Sequence, residues 1–418
     1  MRHRFSTVFY GWWIAAASFA IALYVGSVVF YGFTAFFEPI AEEMGWSYAQ
    51  VSLGSSLRGL EAGILAPFVG LLVDRFGPRK LVFIGGILAA GGLGLLSQTT
   101  SLGMFYASFA LMALGTSCCA GIVLMTAVAN WFQRRIGIAT GIAICGFGFS
   151  GLLVPLIVKL IGMYEWRTAI AILAVGMVAM VLPLSLVFRH KPEVYGYFPD
   201  GDTEDSVSPV GSLEQPEAIE IDLRAVQALK TGIFWRIVAI STCHMIVMQA
   251  VVIHVMPYLS SIGVARATSG FVAAAIPVCS IAGRLGLGWL GDRYGRRLVI
   301  AGAFGMMAVG VFCFASASIA GFLLVIPFLA LFGIGYGGSN AMRIALARQY
   351  FGRTRFGSIF GLAMGISILG GIMAPPLAGW VYDSWGSYQG VWFAFAALPV
   401  VAGVLALSLP RAEEEDRR

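Results

Sequence analysis

Twelve apolar blocks occupy most of the sequence, at approximately 9–37, 49–73, 81–98, 104–129, 136–160, 167–188, 233–259, 268–291, 298–318, 321–347, 356–382 and 388–409. Each is about as long as the roughly 20 residues that carry an α-helix across a bilayer core of about 30 Å. The balance of the 418 residues agrees, because 59% apolar and only 11% charged side chains cannot supply a water-facing surface of ordinary polarity. Lipid must be the main solvent of this chain.

The first block is long enough to span and runs into an acidic loop rather than a small-residue cleavage site, so it reads as a retained helix. Orientation follows from the 27 Lys and Arg. Assigning loops alternately places 21 on the side of both termini, two on the other (Arg167, Arg266) and four within spans (Arg58, Lys159, Arg284, Arg343). Basic loops stay cytoplasmic, so both termini are expected there. The net charge of +6 is thereby explained as a topology signal and not as a nucleic-acid footprint. The six cysteines all lie in apolar blocks, where free Cys packs as a small hydrophobe, and the four histidines are scattered. Neither a disulfide framework nor a metal site is expected, and no cofactor is implied.

The chain repeats itself. Gly70-Leu-Leu-Val-Asp74-Arg75-Phe-Gly77-Pro-Arg79 between blocks two and three matches Gly288-Trp-Leu-Gly-Asp292-Arg293-Tyr-Gly295-Arg296-Arg297 between blocks eight and nine. Trp131-Phe132 leading to Gly141 and Pro155 matches Tyr350-Phe351 leading to Gly361 and Pro375 at nearly the same offset. A duplicated six-span unit is the parallel-repeat plan of a secondary transporter. The loop Gly-x-x-x-Asp-Arg-x-Gly-x-Arg, present twice, resembles the signature of the major facilitator superfamily over the whole chain. That resemblance implies an all-α membrane protein, twelve transmembrane helices in two pseudo-symmetric six-helix bundles (the major facilitator fold). It implies bundles at 1–190 and 233–418 joined by a linker at 191–232. It also implies that Asp74, Arg75, Asp292 and Arg293 hold one conformation through contacts at the cytoplasmic ends of helices. The plainer reading gives these residues topology and turn formation alone, with Gly77 and Gly295 supplying the bend.

Pro192, Pro199, Pro209 and Pro216 with an acidic run at 200–205 mark the segment between the halves as a solvated linker. Leu223, Val226 and Leu229 at three-residue spacing suggest a short amphipathic helix at 221–230 on the cytoplasmic face. The tail from Arg411 reads as a charged, frayed end.

An ionisable side chain in hydrocarbon costs several kcal/mol unless it faces a cavity or a partner, so in-span charges nominate a site. Arg284 lies eight residues before Asp292, His244 eight after Arg236, and Asn340 eight before Arg348. At 1.5 Å per residue each sits roughly 12 Å above the basic edge, near the midplane. Three polar side chains from three helices of one half therefore share a level. No acidic residue stands three or four positions from Arg284, so an anionic cargo is its natural partner, held by the guanidinium fork. Pairing with another helix is the plainer alternative. Arg58 has Glu61 at i+3 and reads as a structural, gating or proton-coupling pair, Glu61 being the one acidic residue well inside a span. Lys159 and Arg343 lie near span ends and are expected to snorkel. Tyr24 and Tyr336 can line a cavity, whereas Tyr31 suits an interfacial belt. Pro375-Pro376 is expected to kink the eleventh span.

Tyr10-Gly11-Trp12-Trp13, the run Trp131-Phe-x-Arg134-Arg135-x-x-x-Ala139-x-Gly141 and the lone Arg284 are similar to the monocarboxylate transporter and oxalate:formate antiporter branch. In that branch the first motif opens on an acidic residue where this chain has Tyr10. Animal members carry Asp where Ser280 stands, and the oxalate branch has a span-eleven lysine that residues 356–382 lack. The resemblance implies a transporter of a small monocarboxylate such as lactate or pyruvate, in symport with a proton. Arg284 would clamp the carboxylate, His244, Asn340 and Tyr336 would complete one wall, with Tyr24 a further substrate-binding candidate, and apolar residues of spans one, four and five would enclose the organic end. Carboxylate exchange, another organic anion or a drug are the alternative cargoes, and a receptor that binds without transport is a separate class. The expected partners are a small organic carboxylate, a proton and membrane lipid, with the chain working as a monomer in a bacterial inner (plasma) membrane. No nucleophile–base pair or phosphate loop stands where water reaches it, so an enzyme is not expected.

Overall fold

The computed structural model describes residues 9–132, 135–190, 192, 195, 229–351 and 356–410, and among these all regular structure is helical. In chain order the helices are α1 (Gly11–Met44), α2 (Tyr48–Phe76), α3 (Pro78–Ser97), α4 (Leu102–Ala129), α5 (136–164), α6 (166–185), α7 (Gly232–Ser261), α8 (Arg266–Tyr294), α9 (Arg296–Ala320), α10 (Phe322–Phe351), α11 (Phe356–Trp385) and α12 (Gln389–Leu407). Ten apolar stretches among the described residues are long enough to cross a membrane, and one of them, Ile138–Ser185, has 48 residues. At 1.5 Å per residue it would be about 70 Å long, more than twice the hydrocarbon core. It breaks at Glu165, where φ is 61°, and so makes two passes. The 29-residue α2, whose apolar character Arg58 and Glu61 dilute, completes the twelve. Except for residues 229 and 230, the helix expected at 221–230 lies outside the described residues, as do the charged tail and Arg134.

Contacts divide the chain into two compact units, Met1–Phe33 with Glu61–Gln215 and Thr34–Leu60 with Pro216–Arg418. The sequence alone does not reveal that Thr34–Leu60 packs with the later helices, but its hydrogen bonds explain why it does. The Thr34 hydroxyl donates to the Ile253 carbonyl at 2.9 Å. Asp383 accepts from the backbone N–H groups of Tyr48 and Ala49, both at 2.9 Å, which caps the N-terminus of α2. His254, fully buried, ties this segment in further. Its Nε2 lies 2.9 Å from the Pro375 carbonyl, which can only accept, and 3.0 Å from the Ser52 hydroxyl. Nε2 therefore carries the proton, and Nδ1 accepts from the Tyr388 hydroxyl at 2.9 Å. The α11 helix runs unbroken through Pro375 and Pro376.

The duplication is visible along the two halves of the sequence. Tight turns with positive φ fall at Gly45 and Gly77 in one half and at Gly263 and Gly295 in the other, each pair 218 positions apart. A methyl at Gly92 would strike Met112 between α3 and α4, and one at Gly310 would strike Phe332 between α9 and α10. The Trp131 indole N–H donates to the Arg189 carbonyl at 3.2 Å, anchoring the end of α4 beyond the end of α6. Tyr350 does the same for α10 beyond α12, donating to the Pro410 carbonyl at 2.6 Å. Different side chains thus perform one task at matched positions.

Glu165 breaks that symmetry. The turn between α11 and α12 uses Gly386 at φ 66°, but the matching turn between α5 and α6 puts an exposed glutamate at φ 61° and ψ 165°. Buried Trp166 and the Arg167 guanidinium, 4.4 Å over its ring and donating to the Ser97 carbonyl, hold the turn in place. A side chain in this region costs about 1–3 kcal/mol. Glu165→Gly is therefore expected to stabilise the protein by about 1 kcal/mol and raise the midpoint of thermal unfolding in detergent, followed by tryptophan fluorescence. An unchanged or lower midpoint would contradict a strained turn.

Candidate functional site

The site grows from the seam between α8 and α10. A methyl at Gly283 would strike the Ile334 carbonyl oxygen, and one at Gly337 would strike that of Ser280. Gly333 likewise leaves room for Cys279. Small residues at four-residue spacing let the two backbones touch, the usual means of helix association in lipid. The seam brings Arg284, one residue after Gly283, beside the face of α10 that carries Tyr336, Ser339, Asn340 and Arg343. Ser280 is fully buried, and its hydroxyl donates to the Pro277 carbonyl at 2.6 Å.

His244 of α7 closes the group. Its ring is 1% exposed and stacks on Tyr336, with centroids 5.6 Å apart at 25°. Nδ1 shares a 3.0 Å hydrogen bond with the Ser339 hydroxyl, and Phe304 of α9 meets the ring edge-on at 6.3 Å. Arg343 donates from one terminal nitrogen to Asn340 Oδ1 at 2.9 Å, while its Nε and its other terminal nitrogen meet no acceptor. Arg284 is half-buried and its Nε is also unmet. Among the described residues neither guanidinium is paired with a carboxylate.

Four of the residues nominated from the sequence, Arg284, His244, Asn340 and Tyr336, thus come together within one unit. Ser339 and Arg343 join them. Arg343 does not snorkel: it is only 3% exposed, because the spacing 336, 340, 343 keeps it on the inward face of α10. Lys159 is exposed, as a snorkelling residue should be. Tyr24 stands apart in the other unit, where its hydroxyl donates to the Leu173 carbonyl at 2.8 Å and fills the space above Gly176. Arg58 is 4% exposed and lies on α2 next to Gly59, which faces Gln249 of α7 and Ile372 of α11. The side chains of Glu61, Asp74 and Asp292 lie outside the described set. Arg75 and Arg293 are exposed at matching helix ends, with Arg75 5.5 Å over the Phe76 ring and Arg293 5.7 Å over that of Trp289.

Residues 8–286 and 238–418 each match the model of the Major Facilitator Superfamily. The chain belongs to the Major Facilitator Superfamily. Monocarboxylate transporter 12 of Rattus norvegicus is 24% identical over 95% of this chain and 84% of its own length. Monocarboxylate transporter 13 of the same animal is 26% identical over 96% and 89%. The crystal structure of a D-xylose–proton symporter superposes with a TM-score of 0.77 at 15% identity, covering 97% of this chain and 99% of that one, a likeness of fold. The chain is accordingly a membrane transporter and not an enzyme.

In this member of the superfamily, the two short motifs near residues 10 and 131 meet each other. Tyr10 and Trp131 have ring centroids 5.2 Å apart, Trp12 and Phe132 4.9 Å, and Arg189 lies 4.0 Å over Tyr10. Gly11 has no side chain because Phe9 and Phe132 occupy its space. Together these residues clasp the ends of α1, α4 and α6 and take no part in the polar cluster. A separate cavity of about 170 Å³ within the first unit is lined by Phe30, Val69, Thr116, Ser117, Ile122 and Phe147, among others.

If the α8–α10 seam builds the cluster, Gly337→Val should lower the unfolding midpoint by the equivalent of about 3 kcal/mol and abolish transport. Gly305→Val on α9, where a methyl meets nothing within 4 Å, is the matched control and should change little. Equal behaviour of the two variants in thermal unfolding would contradict this packing.

Proposed function

We propose that this protein is a secondary active transporter of a small organic monocarboxylate, lactate- or pyruvate-like, moved together with a proton by alternating access. The observation that carries the reading is Arg284, a half-buried guanidinium with no carboxylate partner among the described residues. A cation in that position calls for an anion, and a carboxylate fits the guanidinium fork. His244 and Ser339, linked to each other, stand beside it with Tyr336 and Asn340 to orient the cargo's remaining oxygens. The relatives named as monocarboxylate transporters support the same cargo class. Arg58 and Glu61 on α2 are the candidates for coupling or gating, and the two Asp-Arg pairs at the helix ends for holding one conformation. The protein works as a monomer in the plasma membrane, the inner membrane of a bacterium, with both termini in the cytoplasm.

Exchange of one carboxylate for another is the second reading. It is favoured by Ser280, whose hydroxyl is spent on the Pro277 carbonyl where a proton relay would need an acid beside Arg284.

The test is uptake of radiolabelled lactate into proteoliposomes with and without an inward proton gradient. The native protein is expected to take up lactate faster with the gradient. Arg284→Ala should lower the rate at least about 30-fold, the equivalent of losing a buried charge-assisted contact of about 2 kcal/mol or more. Uptake that needs internal carboxylate and ignores the gradient would select exchange. No uptake by correctly inserted protein, or full uptake by Arg284→Ala, would overturn the assignment.

A further inference from the structure

The cluster holds more positive charge than one carboxylate can answer. Arg343 is 97% buried, since only 3% of its surface is exposed, and only one of its nitrogens has a partner, Asn340 Oδ1 at 2.9 Å. Its Nε and other terminal nitrogen are enclosed without an acceptor, and the Nε of Arg284 is in the same condition. A guanidinium has five N–H donors and stays charged under all ordinary conditions. Leaving one buried without an opposite charge costs several kcal/mol, which is why buried charges are paired or bind something charged. Here two such cations stand on α8 and α10, the helices whose backbones touch at Gly283 and Gly337, with no carboxylate paired to either among the described residues. Ser339 holds the His244 imidazole by a hydrogen bond and Tyr336 by ring stacking, so the polar groups are held before any cargo arrives.

Resting on the carboxylate reading above, we infer that Arg343 is a second anion anchor, and that the site, besides taking monocarboxylates, binds more tightly a small carboxylate bearing a second anionic group, such as a dicarboxylate. Arg284 holds one carboxylate, Arg343 meets the second with its free Nε and terminal N–H groups, and Asn340 orients the Arg343 fork. The planar fork matters as well as the charge, because two parallel N–H groups recognise two carboxylate oxygens where an ammonium presents a point charge. A monocarboxylate binds through Arg284 and leaves Arg343 unanswered.

Thermal unfolding of the purified full-length protein in detergent tests this directly. It would be titrated at constant ionic strength with lactate, malonate, succinate and glutarate, in the native protein and in Arg343→Gln, Arg343→Lys and Arg284→Gln. The half-saturating concentration of the best dicarboxylate is expected to lie at least tenfold below that of lactate in the native protein. Arg343→Gln should erase that advantage while lactate still stabilises, Arg343→Lys should reduce it without erasing it, and Arg284→Gln should lose the response to every anion. Equal half-saturation for lactate and all three dicarboxylates in the native protein, or a dicarboxylate advantage that survives in Arg343→Gln, would overturn the second anchor and leave the carboxylate reading intact. No stabilisation of the native protein by any of the four anions would overturn the carboxylate reading itself, and the second anchor with it. Should Arg343→Gln fail to fold, the native titration and Arg343→Lys still decide the question.

Discussion

A charge placed in hydrocarbon must find an opposite charge, water or a cavity, and much of this protein's organisation answers that constraint. Most of its cations avoid the problem by staying in the segments between the apolar blocks. Arg266 solves it with the backbone, donating to the Ala35 carbonyl. Arg284 and Arg343 solve it with neither a loop nor a carboxylate from the described residues, and they sit where α7, α8 and α10 converge. On the reading proposed here, the cargo's anionic group completes that cluster.

The fold supplies the rigidity such a cluster needs. The α8–α10 seam is backbone against backbone at Gly283 and Gly337, so Arg284 cannot drift from the polar face of α10 without separating the helices. His244 is pinned between a hydrogen bond to Ser339 and the Tyr336 ring. The second buried histidine, His254, has the opposite character: both nitrogens are satisfied, by Pro375, Ser52 and Tyr388, and it joins the segment Thr34–Leu60 to α7 and α11. Two histidines ten residues apart on one helix thus have different surroundings: His254 bonds through both nitrogens, His244 through Nδ1 to Ser339.

Much of this was legible before any coordinates. Apolar length located the spans to within a few residues, and the two Gly-x-x-x-Asp-Arg-x-Gly-x-Arg loops exposed the duplication that Gly77 and Gly295 then express as matched turns. Counting residues inward from the basic edge placed Arg284, His244 and Asn340 at one depth, and their three helices pack against one another. Depth says nothing about azimuth, however, and that is why Arg343 read as a snorkelling residue. Its seven-residue spacing from Tyr336 was the available signal, since positions i and i+7 share a helix face. Ser339 offered the same signal three residues from Tyr336. Tyr24, nominated on depth and chemistry, donates its hydroxyl to the Leu173 carbonyl, a partner that depth alone does not reveal. The packing of Thr34–Leu60 with later helices was not legible, because it rests on pairings such as Tyr48 with Asp383 that lie 335 positions apart.

The most direct measurement is an electron cryomicroscopy map of the protein saturated with a small carboxylate, compared with one collected without it. The account predicts ligand density between the Arg284 and Arg343 guanidiniums and the His244–Ser339 pair, absent from the second map. Density elsewhere, for instance in the cavity beside Thr116 and Phe147, with Arg284 and Arg343 instead paired to carboxylates of the protein, would contradict it.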